Sequence, residues 1–402
     1  MTCSYEELMQ YIEEEDVKFI RLAFCDVFGN RKNISVMPEE LKHALEYGVA
    51  IDASLIPGFG DESFSDLFLH PDPSTTTLLP WRPDSGKVIS LYCDITYQDG
   101  TVFENDTRSI LKKAVKEASD EGLSFTFGSR MEFYLFKLDE NGEKTIIPYD
   151  NAGYMDVAPM DKGENVRREI CLTLERMGII PRSSHHEAGP GQNQIDFQPS
   201  DPVSAADNAC MFRNVVRTIA GRNGLWADFS PKPLVNLPGN GYHISIACSR
   251  DGKTDVLPNV IAGILDNIYD TTVFFNSTEK SYERFGGSKA PRYISWSSEN
   301  RSSLIRIPPA SAEHHYAQLR SPDPLANPYL AFAILIYAGL EGIRNDLELT
   351  TPANINFSHA DRNILSGYKT LPLSLDEARQ AAMNSEFVRK VISGNIIDFF
   401  CR

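Results

Sequence analysis

Phe125–Leu138 reads FTFGSRMEFYLFKL, and its centre, Gly128-Ser129-Arg130-Met131-Glu132-Phe133-Tyr134, alternates polar and apolar side chains. A β-strand sends successive side chains to opposite faces, so Arg130 and Glu132 share one face while Met131 and Phe133 take the other. Three more segments repeat the pattern. Gln192, Gln194 and Asp196 fall together in Gln192–Phe197, His243 and Ser245 in His243–Ala247, and Gln318 and Arg320 in Gln318-Leu319-Arg320. One such strand is most simply a wetted sheet face. Four, interleaved with long helical segments but without a strict βαβ repeat, predict an α+β fold whose antiparallel sheet lines a site.

Helical spacing surrounds these strands. Thr107–Glu121 is amphipathic and is followed by Gly122; Glu164–Met177 is followed by Gly178; Ala205–Arg222 is a third helix. The apolar run Tyr329–Leu340 has the length of a core helix and is too short to span a bilayer. Residues 1–100 read as a smaller α/β unit. It has an acidic helix from Tyr5 to Glu15 and a hairpin from Val17–Phe24 through Asp26–Asn30 to Arg31–Val36. A helix started by Pro38 and stopped at Gly48 follows, then a strand over Lys87–Asp94. The expected division is therefore 1–100 and 101–402.

The balance of 39 basic and 55 acidic residues gives a net charge of −16. Phosphate backbones demand a basic face, and no basic run is present, so a nucleic-acid partner is not expected. Seven scattered cysteines without a CxxC pair suggest reduced thiols, and the first ten residues, MTCSYEELMQ, lack the basic and apolar regions of a signal peptide. The expected compartment is the cytoplasm, with no membrane association.

Several motifs could carry chemistry. His185-His186-Glu187 offers imidazole and carboxylate donors, although a loop histidine pair is more often a hydrogen-bonding group. Pro238-Gly239-Asn240-Gly241 allows a ligand to approach backbone closely, or is a plain tight turn. Arg284, Arg301, Arg306 and Arg320 supply guanidinium forks that suit carboxylates and phosphates; each alone would also serve as a surface ion pair. There is no GxxxxGK[ST], no GxGxxG and no GxSxG.

In order along the chain, DASLIPGF, MEFYLF, SHHEAGPGQNQIDF, PGNGYHIS, NRSSLIRIP and LRSPDPLANPYLAF strongly resemble glutamine synthetases, from the FIRLAFCDVFGN hairpin almost to Arg402. The resemblance implies a small N-terminal β-grasp domain and a large catalytic α+β domain with a curved antiparallel sheet. It also implies a homo-oligomeric ring, here of six subunits, with sites shared between neighbours. The family reaction is ATP-dependent ligation of ammonia, or in some members another amine, to the γ-carboxylate of glutamate. Carried over, Asp52 is the ammonium-binding aspartate lent by a neighbouring subunit, and Arg301 a catalytic and phosphate-binding residue. Gly239, Arg284 and Arg320 contact glutamate, and Arg306 the nucleotide phosphates. The tail that ties two rings together in the family is missing after Arg402, which argues for a single ring.

The family holds two Mg²⁺ or Mn²⁺ ions with five glutamates and one histidine. The matching positions here are Glu132, Glu187 and Gln194 for one ion, and Arg130, His243 and Gln318 for the other. Three of the five carboxylates are thus replaced, two by amides and one by a cation. Like charges about 4 Å apart repel by on the order of 4 kcal/mol at an effective dielectric near 20, so the second ion is expected to be lost. The loop that closes over the substrate, normally ending Glu-Ala-Pro, reads Lys289-Ala290-Pro291. Ser245 and Ala247 stand where His and Ser are common, Glu313 and Tyr316 where basic residues are common, and Pro238 where Asn usually precedes Gly239. The expected function is that of a catalytically impaired family member or pseudoenzyme, against the alternative of an active ligase with a modified metal site. An amino-acid ligand fits either. Arg130 is expected to find its carboxylate partner in Glu132 or Glu187.

Overall fold

The computed structural model describes residues 5–60, 66–82, 85–253, 255–287, 289–308 and 316–402. After helix α1 (Tyr5–Glu14) the N-terminal sheet is built from β1 (Val17–Cys25), β2 (Arg31–Val36), β3 (Val49–Asp52), β4 (Asp66–Pro71), β5 (Thr77–Leu78) and β6 (Lys87–Thr96), with α2 (Leu41–Tyr47) between β2 and β3. Its order is β2-β1-β6-β4-β3, with β5 on β6. β1 and β6 run parallel, the other pairs antiparallel. The β1–β2 turn is set by Asp26, whose carboxylate accepts the Phe28 and Asn30 amides at 3.0 and 2.8 Å. Gly29 takes φ +76° there, and a Cβ on it would lie 2.9 Å from the Asn327 backbone. This turn therefore packs directly on the C-terminal half of the chain.

α3 (Thr107–Asp120), capped by Asp106 and ended before Gly122 (φ +72°), leads into the second sheet. That sheet comprises β7 (Leu123–Leu138), β8 (Lys144–Pro148), β9 (Pro181–His186), β10 (Gln192–Phe197), β11 (Leu225–Asp228), β12 (Tyr242–Arg250), β13 (Trp296–Ser297), β14 (Ile305–Arg306) and β15 (Ala317–Leu319). The order is β13-β14-β15-β12-β7-β10-β9, with β8 and β11 on the far half of β7. All pairs are antiparallel except the two-residue β13 on β14. Helices α4 (Glu164–Arg176), α5 (Pro202–Arg222), α6 (Leu257–Phe275), α7 (Glu279–Glu283) and α8 (Pro328–Arg344) interleave with the strands, and α9 (Arg362–Leu365), α10 (Leu375–Asn384), α11 (Glu386–Val391) and α12 (Gly394–Cys401) close the chain.

The odd-numbered side chains of β7 make the core face. Phe127 stacks on Phe332 of α8 with centroids 4.3 Å apart, and Phe133 meets Phe212 of α5 edge-on. The even-numbered side chains, Arg130 and Glu132 among them, are left for the opposite face. α8 is buried along nearly its whole length, and it lies so close to α6 that glycines meet backbone: a Cβ on Gly342 would sit 2.0 Å from the Asn259 carbonyl oxygen. Arg108, on α3, is buried in contact with Asp72 before β5, Asp94 on β6 and Asp207 on α5, so one guanidinium links the N-terminal sheet to helices α3 and α5. Among the described residues no helix is long and apolar enough to cross a membrane.

Candidate active site

Strand register brings the polar faces together. β10 pairs with β7 so that Gln194 lies opposite Glu132 and Asp196 opposite Arg130; on the other side of β7, His243 lies opposite Arg130. Farther along, Ser245 pairs with Gln318 and Gln318 with Arg306. The six positions matched to cation ligands thus lie on one face or, for Glu187, just beyond the end of β9. Gln194 also faces His185 of β9, its amide nitrogen 3.0 Å from the imidazole Nε2.

Glu132 is buried. One carboxylate oxygen accepts the Gly241 amide at 2.8 Å and the other has no partner. Burial, then the nearby charge of Glu187, pushes its pKa up to about 7. Glu187 is buried too, but its Oε2 is taken by the Lys289 ammonium and the Ala188 amide, while His185 stands 3.8 Å from Oε1. Lys289 lies over the Tyr154 ring, 4.5 Å from its centroid. The Lys289 ammonium therefore reaches into the cleft and pairs with Glu187.

The second cluster is basic. Arg130 pairs with Asp196 at 3.4 Å, so its carboxylate partner is neither Glu132 nor Glu187 as the sequence suggested. The cause is register: the cross-strand neighbour on β10 is nearer than the next residue on the same face of β7. His243 is buried with both ring nitrogens unpartnered, and burial, then Arg320, Arg130 and Arg284, hold its pKa well below the ordinary value, leaving a neutral imidazole. Arg320 donates to the Gln318 amide oxygen at 3.3 Å; burial lowers its pKa to about 10, with Arg301, Arg130 and Arg306 adding repulsion. Arg284 is buried, donating to Asn276 Oδ1 at 3.1 Å and to the Ser321 carbonyl. Its side chain packs on Gly239, where a Cβ would lie 2.8 Å from Arg284 Cγ and 2.4 Å from the Pro231 carbonyl oxygen. Glycine is required there by space.

Arg130, Gln194, His185 and Arg301 line a cavity of about 820 Å³, and Arg130, Ser245, Asp196 and Tyr316 a smaller one of about 60 Å³ beside it. Ala247 lies two residues farther along β12, and Glu313 lies outside the described residues. Asp52 is exposed at the end of β3, on the N-terminal sheet rather than the sheet that carries the cleft. Its carboxylate accepts the amide and hydroxyl of Ser54.

Two contributors were not legible as such. Strand alternation puts Asp196 on the polar face but does not name its partner. No sequence pattern marks Asp150, yet it holds His186, whose Nε2 lies 2.9 Å away. Asp150, Asp161 and His186 come within 4.8 Å of one another, but Arg167 pairs with Asp161 and the Gly191, Ala152 and Lys162 amides saturate Asp150. Of the two histidines, then, His186 fixes backbone and His185 faces the cleft.

The chain is similar throughout to known proteins. The glutamine synthetase β-grasp domain matches residues 16–98, and the glutamine synthetase catalytic domain residues 104–402. A glutamine synthetase of Methanosarcina mazei is 41% identical across 98% of this chain and 92% of its own length, and one of Staphylococcus aureus is 40% identical across 99% and 93%. A solved GmaS/ADP complex superposes with a TM-score of 0.89 at 25% identity, covering 100% of this chain and 94% of its own. Apo GmaS without ligand gives 0.86, again at 25% identity, over 98% and 93%. The β-grasp sheet, the curled sheet behind it and the aligned relatives agree, and the chain belongs to the glutamine synthetase family.

Proposed function

We propose that this protein keeps the family fold and an arginine-lined cleft for an anionic amino acid, has given up the paired divalent cations, and does not form glutamine. Membership brings ATP and a divalent metal as the family's requirements. The observation that carries the reading is the Lys289–Glu187 ion pair: one of two surviving carboxylates is already neutralised by the protein. The residues of the second position, Arg130, His243 and Gln318, present a guanidinium, an imidazole and an amide, a donor set unsuited to a hard dication. At the first position Glu132, Glu187 and the Gln194 amide would hold a cation only by displacing Lys289. The competing reading, an active ligase with a modified metal site, is favoured by the relatives named glutamine synthetase and by the unpartnered oxygen of Glu132 and nitrogens of His243, which are free to accept a cation.

Calorimetric titration with Mn²⁺ separates the two. The proposal expects no saturable site tighter than about 1 mM, together with a melting shift on adding L-glutamate that persists in chelator. Two Mn²⁺ sites in the micromolar range, or a glutamate shift that requires Mn²⁺, would establish the ligase instead.

The same proposal includes a ring of six subunits, in which Asp52 and its exposed neighbour Leu55 would face the next chain. Light scattering at micromolar concentration should give a mass near six times 45.0 kDa; a monomer peak would dispose of the ring.

A further inference from the structure

Away from the cleft, Cys25 at the end of β1 and Cys210 on α5 bring their sulfurs to 3.6 Å across 185 residues, both side chains buried. Beside them lies Arg213, one helical turn beyond Cys210 and itself buried. Its guanidinium donates to the carbonyls of Gly29, Pro324 and Ala326, and Nη2 stands 3.6 Å from Cys210 Sγ. No carboxylate pairs with this cation among those contacts, so the sulfur is the only anion-capable group in the set. Cys210 and Arg213 also line a cavity of about 410 Å³ together with Phe28, Asn30 and Arg31, the route by which a peroxide would reach the sulfur.

We propose that Cys25 and Cys210 form a reversible disulfide, with Cys210 the attacking thiol and a peroxide the oxidant. Cys25 donates its S–H to Cys210 Sγ, and Arg213 adds a second donor. Burial opposes the thiolate, but these two donors outweigh it and bring Cys210 below the ordinary thiol range, while Cys25 is pushed well up. The Cys210 thiolate attacks one peroxide oxygen. An S–O bond forms, the O–O bond breaks, and hydroxide leaves to become water, giving a sulfenic acid. Cys25 sulfur then attacks Cys210 Sγ. The S–S bond forms, the S–O bond breaks, and the second water carries off the Cys25 proton. Two thiols have lost two electrons and the peroxide has been reduced to two waters. The sulfurs, now 3.6 Å apart, need to close by about 1.6 Å to reach bonding distance. The bond would join the N-terminal sheet covalently to the helix layer of the catalytic half.

The test is oxidation of the native full chain by hydrogen peroxide, alkylation, digestion without reductant and mass spectrometry. The expected product is a Cys25–Cys210 linked peptide, with two of the seven thiols lost and a melting midpoint raised by about 5 °C that dithiothreitol returns. In Cys25→Ser, which has no resolving thiol, Cys210 should accumulate as a dimedone-reactive sulfenic acid. Cys25 and Cys210 remaining alkylatable while half-exposed Cys171 is oxidised would overturn the proposal. So would a linked peptide that forms only in denaturant. The native-chain arm decides the matter even if Cys25→Ser does not fold.

Discussion

The purified protein, given ATP, glutamate, ammonia and Mg²⁺ or Mn²⁺, should release no phosphate above background. Phosphoryl transfer leaves little covalent work to the protein and depends on positioned cations and charge stabilisation. On the proposed reading, Arg130, Gln194 and Gln318 would stand at three of the ligand positions, and a fourth, Glu187, is paired with Lys289. The recovery pattern is as diagnostic as the loss. Arg130→Glu alone restores one carboxylate but faces it with Asp196, 3.4 Å from the present guanidinium, and leaves Lys289 on Glu187. It should recover almost nothing. Arg130→Glu with Gln194→Glu, Gln318→Glu and Lys289→Glu restores the full ligand count and frees Glu187, so any regained turnover should appear only in the combination, because the groups act as a unit. The assay is phosphate release with the quadruple variant run in parallel. An unmodified protein that turns over at about 1 s⁻¹ or faster, within the usual enzyme range, makes it a working ligase.

The largest single-site loss of stability is expected at Gly342→Ala. The added methyl would lie 2.0 Å from the Asn259 carbonyl oxygen and 2.9 Å from the Gly263 amide nitrogen, both backbone atoms of α6 that cannot step aside alone. Gly263→Ala meets the Ala338 carbonyl oxygen at 2.1 Å from the opposite direction. Either substitution must push α6 and α8 apart along a fully packed seam, at about 3 kcal/mol or more. Gly339→Ala is the control, since its methyl would meet the Val260 Cγ1 and the Phe125 ring, at 2.9 and 3.3 Å, and side chains can rotate. Denaturant midpoints should place Gly342→Ala and Gly263→Ala well below Gly339→Ala; equal losses at all three would mean that the helices do not approach this closely.

Local signals were legible where the physics is local. Gly48, Gly122 and Gly178 were read as helix stops and take φ of 78°, 72° and 79°. The alternation in Phe125–Leu138 and Gln192–Phe197 gives the polar face, and the short strand Ala317–Leu319 falls at Gln318-Leu319-Arg320 as expected. What escaped was long-range. α6 is the exception: its apolar pattern is as local as that of Tyr329–Leu340, and no physical obstacle hides it in the sequence. The pairing of Arg130 with Asp196 depends on register between strands some sixty residues apart, and that of Lys289 with Glu187 on how a loop folds back across 102 residues. Cys25 and Cys210 looked like scattered thiols for the same reason. Residue types named the chemistry available on the face, and only the packed chain settled which charges meet.

The Arg108 cluster has a consequence for how the protein comes apart. Asp72 and Asp94 belong to the N-terminal part of the chain and Asp207 to α5, where it also accepts the Tyr329 hydroxyl at 2.6 Å. If the N-terminal sheet were to melt first, Arg108 would keep Asp207 but lose Asp72 and Asp94, and its Nη1 would be left without an acceptor. Partial unfolding is thereby penalised where the N-terminal sheet meets α3 and α5. The two halves should behave as one cooperative unit, and heat should dismantle them in a single calorimetric transition rather than two.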